Sequence, residues 1–182
     1  IRDRMNLNRC LQEALNPKAP DKREILWGER LFREGDRIMQ TRNDYDVVWE
    51  KEDGTVGTGM FNGDVGKITQ IDPSGEWLSV DFDGRSALYG VEQLAELDLA
   101  YAQTVHKAQG SEYRAVVLAA MPAAQSLMVR GVLYTALTRA RELLVVVGDD
   151  AAIRSMAAND RQQRRYSGLK WRLSHESGLH GN

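Results

Sequence analysis

The 182-residue sequence is poor in cysteine, with Cys10 as its single example. One cysteine excludes an internal disulfide framework and a zinc site built from several cysteines, and it is typical of a reducing compartment. The opening residues carry no secretory pattern. We therefore expect a cytoplasmic protein.

The sequence also lacks long apolar runs and an excess of charge of either sign. Its apolar runs fall far short of the about 20 residues that a membrane-spanning helix needs, so no contact with a membrane is expected. Lysine and arginine number 24 against 26 aspartates and glutamates, which leaves a net charge of −2. Composition thus gives no sign of a nucleic-acid binder, and any such contact must be local.

A phosphate-binding loop is missing as well. The pattern Gly-x-x-x-x-Gly-Lys-Ser/Thr occurs nowhere in the chain. Residues 63–68 resemble it superficially, but Phe61 stands where the first glycine is needed and Ile68 where a metal-binding hydroxyl is needed. No acidic pair follows an early strand to hold Mg²⁺. We therefore expect that the chain cannot hydrolyse ATP by itself and that, starting with isoleucine, it begins inside a longer protein.

The first 46 residues predict a helix and a strand. Leu7, Leu11 and Leu15 fall on one helical face, and Asn16-Pro17 ends the helix because the residue before proline is forced out of the helical region. A strand is predicted over residues 36–42, entered through Gly35. Its arginines, Arg37 and Arg42, are either solvated strand-end charges or contacts to a nucleotide or phosphate. Residues 17–35 are mostly charged and turn-forming, anchored by Trp27, Leu31 and Phe32.

Residues 47–96 have a different texture, with short β-prone segments separated by turn residues. Asn62-Gly63 and Asp83-Gly84 are strong hairpin signals, since both turn positions favour positive φ. Between such turns, residues 65–71, 77–82 and 86–89 alternate as half-buried strands do. These features predict a small barrel of the Src-homology kind, inserted into another domain.

An α/β pattern returns from Leu97. Polar clusters at 104–113 and 133–141 each lie beside an apolar run, which suggests a site at the ends of strands in an open α/β sheet. Thr104 is expected to cap a short helix closed by Gly110. The remaining predicted elements are strands at 97–102, 115–120 (buried on both faces) and 143–147; helices from Ser126 to near Arg141 and at 151–158; a basic amphipathic helix over 161–173; and a disordered tail over 174–182.

The two polar clusters carry a resemblance to a known family. Residues 104–112, Thr-Val-His-Lys-Ala-Gln-Gly-Ser-Glu, resemble motif V of superfamily 1 helicases, and residues 133–140, Leu-Tyr-Thr-Ala-Leu-Thr-Arg-Ala, resemble motif VI. The match is to the RecD family. Residues 47–60 depart from it, being longer than the usual link at this point. Further segments resembling RecD-like sequences occur in the same order at 35–43, 61–66, 80–82 and 164–169.

The resemblance implies a fold and a domain organisation. The fold class would be α/β, a RecA-like second motor domain of the P-loop-NTPase type with an inserted small Src-homology-like β-barrel. Residues 1–46 would start the RecA-like domain, 47–96 form the barrel, 97–173 complete the RecA-like domain and 174–182 form the tail. ATP and Mg²⁺ would be held mainly by an N-terminal RecA-like domain outside this chain.

The resemblance also implies roles for individual residues. Arg139 would be the arginine finger that stabilises the charge of phosphoryl transfer, because its planar fork can hold two oxygens; the alternative is a cap on the carbonyl end of its helix. Motif V would face the nucleotide through Gly110, Ser111 and Glu112. It would face single-stranded DNA through Thr104, His106 and Lys107. Simple alternatives are a helix cap for Thr104, a packed histidine for His106 and a solvated Lys107.

The function implied is that of a motor fragment of an ATP-dependent 5′–3′ DNA helicase in repair and recombination. Partners would be single-stranded DNA, the N-terminal motor domain and RecBC-type subunits. Alternatives are the helicase part of a conjugative relaxase and a motor-derived scaffold or nucleic-acid-binding module without catalysis. The barrel is either a DNA pin or clamp, a protein-docking site or bulk. Its acidic strands argue against a broad phosphate-binding face.

Overall fold

A computed structural model describes residues 2–122, 124 and 127–160. The chain divides into two compact units, one ending at Ala108 and the other beginning at Gln109. The predicted cap Ser126, the predicted basic helix at 161–173 and the predicted tail at 174–182 lie outside the described residues. In the described part of the chain, no helix is long and apolar enough to cross a membrane.

The first unit begins with α1 (Arg2–Leu15), which ends where the Asn16-Pro17 pair predicts. The backbone N–H of Asn16 donates to the carbonyl of Gln12 at 2.8 Å, and no helical bond follows it. The buried face of α1 is polar: Asn8, Gln12 and Asn16 are 1–6% exposed, whereas Leu7 and Leu15 are exposed. The predicted helix is confirmed, but its leucines are not the residues that anchor it.

A β-hairpin follows the helix in a stretch that was expected to consist mainly of turns. Strand β1 (Glu24–Trp27) pairs antiparallel with β2 (Arg30–Arg33). The register places Ile25 opposite Phe32, and both side chains are buried in the core. Charged residues next to Ile25 and Phe32 hide the alternation of buried and exposed side chains in these four-residue strands. For this reason the sequence did not predict the two strands.

The core of the first unit lies against an antiparallel sheet of seven strands in the order β5-β4-β8-β7-β6-β3-β9. The core side chains come from all parts of the sheet and include Ile38, Met60, Ile68, Val80, Phe82 and Tyr89. A 3₁₀ helix (Val91–Glu96) precedes the last strand. The strands are β3 (Arg37–Gln40), β4 (Asp44–Glu50), β5 (Val56–Met60), β6 (Val65–Ile71), β7 (Trp77–Phe82), β8 (Arg85–Gly90) and β9 (Leu97–Leu99).

Local sequence signals locate the middle of this sheet well. Strands β6 and β7 have the predicted bounds, and β8 differs from its prediction by one residue at each end. Asp83 and Gly84 join β7 to β8 with φ values of 55° and 82°, as a two-residue hairpin turn requires. Strands β3 and β9, outside the predicted insert at 47–96, pair with each other and belong to the same sheet.

A buried carboxylate, Asp36, joins α1 to this sheet. Its side chain accepts hydrogen bonds from Gln12 Nε2 at 2.5 Å, Asn16 Nδ2 at 2.7 Å, the Arg33 backbone N–H at 2.7 Å and Tyr101 Oη at 2.9 Å. Asp36 is 0% exposed. A buried carboxylate is tolerated when such donors replace its water. The polar face of α1 therefore supplies the solvation of Asp36.

Tyr101 makes stability depend on pH in the alkaline range. Burial, followed by the hydrogen bond to Asp36, raises the pKa of Tyr101 from 10.0 to about 12. A raised phenol pKa means that folding favours the neutral form, so its stabilisation is complete below pH 10 and is lost as pH rises through 12. We expect the free energy of unfolding to fall over this window, and to fall less in Tyr101→Phe.

Denaturant unfolding at a series of pH values measures this difference. Burial also raises the pKa of Tyr89, so part of the decline persists in Tyr101→Phe. Tyr45→Phe, at a ring that is 66% exposed, is the matched control and should follow the wild type. Equal slopes for Tyr101→Phe and the wild type would contradict the prediction.

The second unit is a parallel β-α-β arrangement followed by a helix. Strand β10 (Tyr113–Ala120) pairs in parallel with β11 (Ala140–Gly148), and α2 (Arg130–Leu137) connects them. Helix α3 (Asp150–Ala158) begins at Asp149, whose carboxylate accepts the Ala151 N–H at 2.8 Å. The predicted strands at 115–120 and 143–147 and the predicted helix at 151–158 are confirmed.

The expected burial of β10 on both faces is wrong. Only Ala120 of this strand is buried, and Val117 is 70% exposed. In the described part of the chain the sheet has two strands, contacted by α2 and α3. A parallel sheet is normally covered on both faces. Within the described residues, α2 and α3 leave most side chains of this sheet exposed.

Candidate functional site

The nucleotide-facing candidates lie at the amino-terminal edge of the parallel sheet. Because β10 and β11 run in the same direction, the residues that precede them meet at one edge. Tyr113 is paired with Ala140, and its N–H donates to the Arg139 carbonyl at 2.8 Å. The segment 110–112 therefore lies beside the end of α2, where Arg139 is located.

The Arg139 guanidinium joins the two predicted motifs. Its Nη1 donates to the Ser111 carbonyl at 2.8 Å, so motif VI contacts the backbone of motif V. Its Nε donates to the Thr135 carbonyl at 3.1 Å, and its Nη2 to Thr138 Oγ1 at 3.2 Å. The Thr135 contact is the one that the helix-cap alternative requires. A guanidinium has five N–H donors, so donors remain for an oxygen from outside the described residues.

Glu112 has a partner that the sequence did not reveal. Its Oε2 accepts a hydrogen bond from Arg141 Nε at 2.6 Å, with the side chains 49% and 66% exposed. At such exposure the pair contributes about 0–1 kcal/mol to stability. Arg141 nevertheless restricts the orientation of Glu112. The contact depends on the strand register: Tyr113 is paired with Ala140, which brings their chain neighbours Glu112 and Arg141 together.

Gly110 has a backbone conformation suited to glycine. Its φ is +90°, and a Cβ built at this position would meet no heavy atom within 4 Å. Glycine is thus favoured at this position by the positive φ angle and not by a lack of space for a side chain. Gly110 is exposed, so its backbone is open to an approaching ligand.

The DNA-facing candidates Thr104, His106 and Lys107 belong to the first unit. The expected short helix is a single turn, in which the Thr104 carbonyl accepts the Ala108 N–H at 3.1 Å. Thr104 Oγ1 accepts the Lys107 N–H at 3.4 Å, a capping contact. Thr104 and His106 are exposed and Lys107 is half-buried.

The strand-end arginines Arg37 and Arg42 differ in their surroundings. Arg42 Nη2 donates to Glu96 Oε1 at 2.5 Å, and this hydrogen bond raises the pKa of Arg42. Glu96 is buried and also accepts from Gln40 Nε2 at 2.8 Å. Both arginines are exposed, and Arg42 is committed to an ion pair with Glu96.

Two family models match the chain. The model described as "ATP-dependent RecD-like DNA helicase SH3 domain" matches residues 7–82. The model described as "UvrD-like helicase C-terminal domain" matches residues 99–147. The first match includes part of α1 and the β1–β2 hairpin, which agrees with their packing in the first unit. The second match includes Arg139, Glu112 and the parallel strands.

Similar curated proteins also carry RecD names. The "ATP-dependent RecD2 DNA helicase" of Deinococcus radiodurans is 37% identical over 159 residues, which is 87% of this chain and 20% of that protein. The "RecBCD enzyme subunit RecD" of Mycolicibacterium smegmatis is 33% identical over 166 residues, 91% of this chain and 26% of the relative. The protein of the same name from Haemophilus influenzae is 28% identical over 147 residues. The chain thus spans about a fifth to a quarter of these relatives.

Proposed function

The chain belongs to the RecD-like family of DNA helicases, and we propose that it is the C-terminal motor part of an ATP-dependent 5′–3′ DNA helicase. In this proposal the second unit is part of a RecA-like motor domain that closes on a nucleotide held by another domain of the parent protein. The residues ahead of it include the SH3-like domain.

The observation that carries the proposal is the contact of Arg139 with the Ser111 carbonyl. Phosphoryl transfer spreads negative charge over the equatorial oxygens, and an arginine that reaches them from a facing domain stabilises that charge. A guanidinium held at Ser111 and Thr135 keeps its remaining donors in a defined position. The same contact ties the position of Arg139 to the backbone of motif V.

Motif V divides its proposed roles between two ligands. Glu112, oriented by Arg141, is assigned to ribose or phosphate-linked groups, and Gly110 and Ser111 present backbone to the nucleotide. Thr104, His106 and Lys107 are assigned to single-stranded DNA, since hydroxyl, imidazole and ammonium donors suit phosphate oxygens. A change in nucleotide state would therefore reach the DNA contacts through residues 104–112.

ATP and Mg²⁺ are assigned mainly to the partner motor domain. The groups that accept hydrogen bonds from Arg139 are the carbonyl oxygens of Ser111 and Thr135 and the hydroxyl oxygen of Thr138. The carboxylate of Glu112 is paired with Arg141. This set suits contact with phosphate oxygens through arginine and offers no carboxylate cluster for a divalent cation. Magnesium, when bound, would supply positive charge that neutralises the phosphate oxygens.

The names of the relatives support a proposal for the protein partners. Mycobacterial and Haemophilus relatives are named as RecBCD subunits, and the Deinococcus relative is named as a RecD2 helicase. We propose a role in DNA repair and recombination in the cytoplasm, either within a RecBC-type assembly or as a separate helicase. The N-terminal RecA-like domain of the parent is the required partner in both cases.

Phosphate release from ATP tests the proposal. The purified chain 1–182 is expected to show no turnover with or without single-stranded DNA, because it has no phosphate-binding loop. The parent protein is expected to hydrolyse ATP and to be stimulated by DNA. Turnover by the isolated chain, or a parent that lacks DNA-stimulated hydrolysis, would contradict the assignment.

A further inference from the structure

A groove lies along the seven-stranded sheet beside strand β4. Its volume is about 900 Å³, and β4 together with Lys51 and Glu52 contributes half of its lining residues. It includes the start of the segment 47–60, which departs from the RecD-like pattern. Neither Arg139 nor the motif V residues line it. The groove is therefore a separate feature of the first unit.

Strand pairing builds the polar floor of the groove. Glu50 is opposite Ser86, Ser86 is opposite Asp81, and Asp81 is opposite Lys67, so these side chains form one row across four strands. Side chains of directly paired residues share a face of the sheet. Ala87 and Tyr89 alternate to the other face and are buried in the core. The position of this row is therefore determined by the register of the sheet.

The groove has an excess of negative charge. Asp46, Glu50, Glu52 and Asp81 line it, against one lining cation, Lys51, and Lys67 adjoins the groove opposite Asp81. None of these four carboxylates forms an ion pair within the described part of the chain. The Lys51 Nζ lies 5.9 Å from the ring centroid of Trp49. A cationic ligand would relieve the mutual repulsion of the carboxylates.

Apolar side chains stand among these carboxylates. Val48, Val56 and Leu88 line the groove and are 57%, 61% and 62% exposed. Trp49 is opposite Ala87, packs against the core and covers Gly57 of β5, so it flanks the groove without belonging to this exposed group. Grouped exposed apolar residues beside polar ones are typical of an interaction site. The groove thus combines aliphatic contact with negative charge.

We propose that the groove docks an extended segment of a partner protein in which basic side chains flank an aliphatic one. The aliphatic side chain packs against Val48 and Leu88, and the basic side chains reach Glu50 and Asp81. A nucleic-acid strand is disfavoured because its phosphates would meet four carboxylates. The site is independent of ATP hydrolysis.

Fluorescence anisotropy with labelled synthetic peptides and the full 182-residue chain tests the proposal. The probe is a short peptide of alternating arginine and leucine; its two controls replace arginine by glutamate or leucine by serine. Glu50→Lys and Leu88→Ser each change one exposed groove residue, and we expect each to weaken binding by about tenfold or more. Glu29→Lys makes the same charge change in the β1–β2 turn and should bind as the wild type does.

Three results would overturn the proposal. The first is equal binding of the probe and either control peptide. The second is equal loss of binding in Glu50→Lys and Glu29→Lys, which would reduce the effect to net charge. The third is binding of a single-stranded oligonucleotide that Leu88→Ser abolishes, which would make the groove a nucleic-acid surface. Thermal unfolding confirms that each variant is folded before its binding is compared.

Discussion

Replacing Arg139 by lysine in the parent protein is expected to lower ATP hydrolysis by a factor of about 10³–10⁵, while single-stranded DNA binding changes little. Lysine keeps one charge but cannot hold two phosphate oxygens in a planar fork. It also cannot retain the three directed contacts to Thr135, Thr138 and Ser111. Steady-state phosphate release and oligonucleotide binding measure the two properties separately.

The helix-cap alternative makes a different prediction for the same variant. If Arg139 only caps the carbonyl end of α2, lysine would keep the positive charge beside those carbonyls, so the change would cost less than about 1 kcal/mol of stability and would leave hydrolysis nearly unchanged. Arg154→Lys on α3 is a matched control, since Arg154 is exposed and pairs with Asp150. Hydrolysis by Arg139→Lys at the level of Arg154→Lys would remove the arginine-finger assignment.

Replacing Asp36 by alanine is expected to destabilise the first unit by about 3 kcal/mol or more, since a buried donor left without an acceptor costs about 1–3 kcal/mol. The substitution leaves donors on Gln12, Asn16, Arg33 and Tyr101 without their common acceptor. The burial of Gln12, Asn16 and Arg33 limits replacement of Asp36 by water. Equilibrium unfolding in urea, followed by far-ultraviolet circular dichroism, measures the loss.

Two further variants control the Asp36 experiment. Asp36→Asn keeps the size and one acceptor but turns an amide N–H₂ toward donors, so an intermediate loss is expected. Asp21→Ala removes an exposed carboxylate and should change stability by no more than about 0.5 kcal/mol. If Asp36→Ala were as stable as Asp21→Ala, Asp36 would not be the link between α1 and the sheet.

The polar face of α1 illustrates why part of this fold is hidden from sequence reading. The leucine spacing correctly predicts a helix and the proline correctly predicts its end. The spacing does not predict that Asn8, Gln12 and Asn16 form the buried face. Two of these residues are buried because Asp36, 20–24 residues further along the chain, requires their donors. No local pattern contains that requirement.

The candidate site likewise has features that the sequence predicts and features that only the structure shows. Motifs V and VI predict that Gly110, Ser111, Glu112 and Arg139 belong to one functional region, and their roles as nucleotide contacts also stay predictions. The contact of Arg139 with Ser111 and the pairing of Glu112 with Arg141 depend on the parallel register of β10 and β11. The sequence holds no signal of that register, because the two strands are separated by a whole helix.

The sequence by itself determined the features that depend on a few neighbouring residues. These are the end of α1 at Pro17, the hairpin turn at Asp83-Gly84 and the bounds of β6 and β7. Only the tertiary structure decided which strands share a sheet, since β3 and β9 join the strands of residues 44–90 through pairings distant in sequence. Turn conformation and periodicity are local properties, whereas burial and register depend on segments brought together by folding.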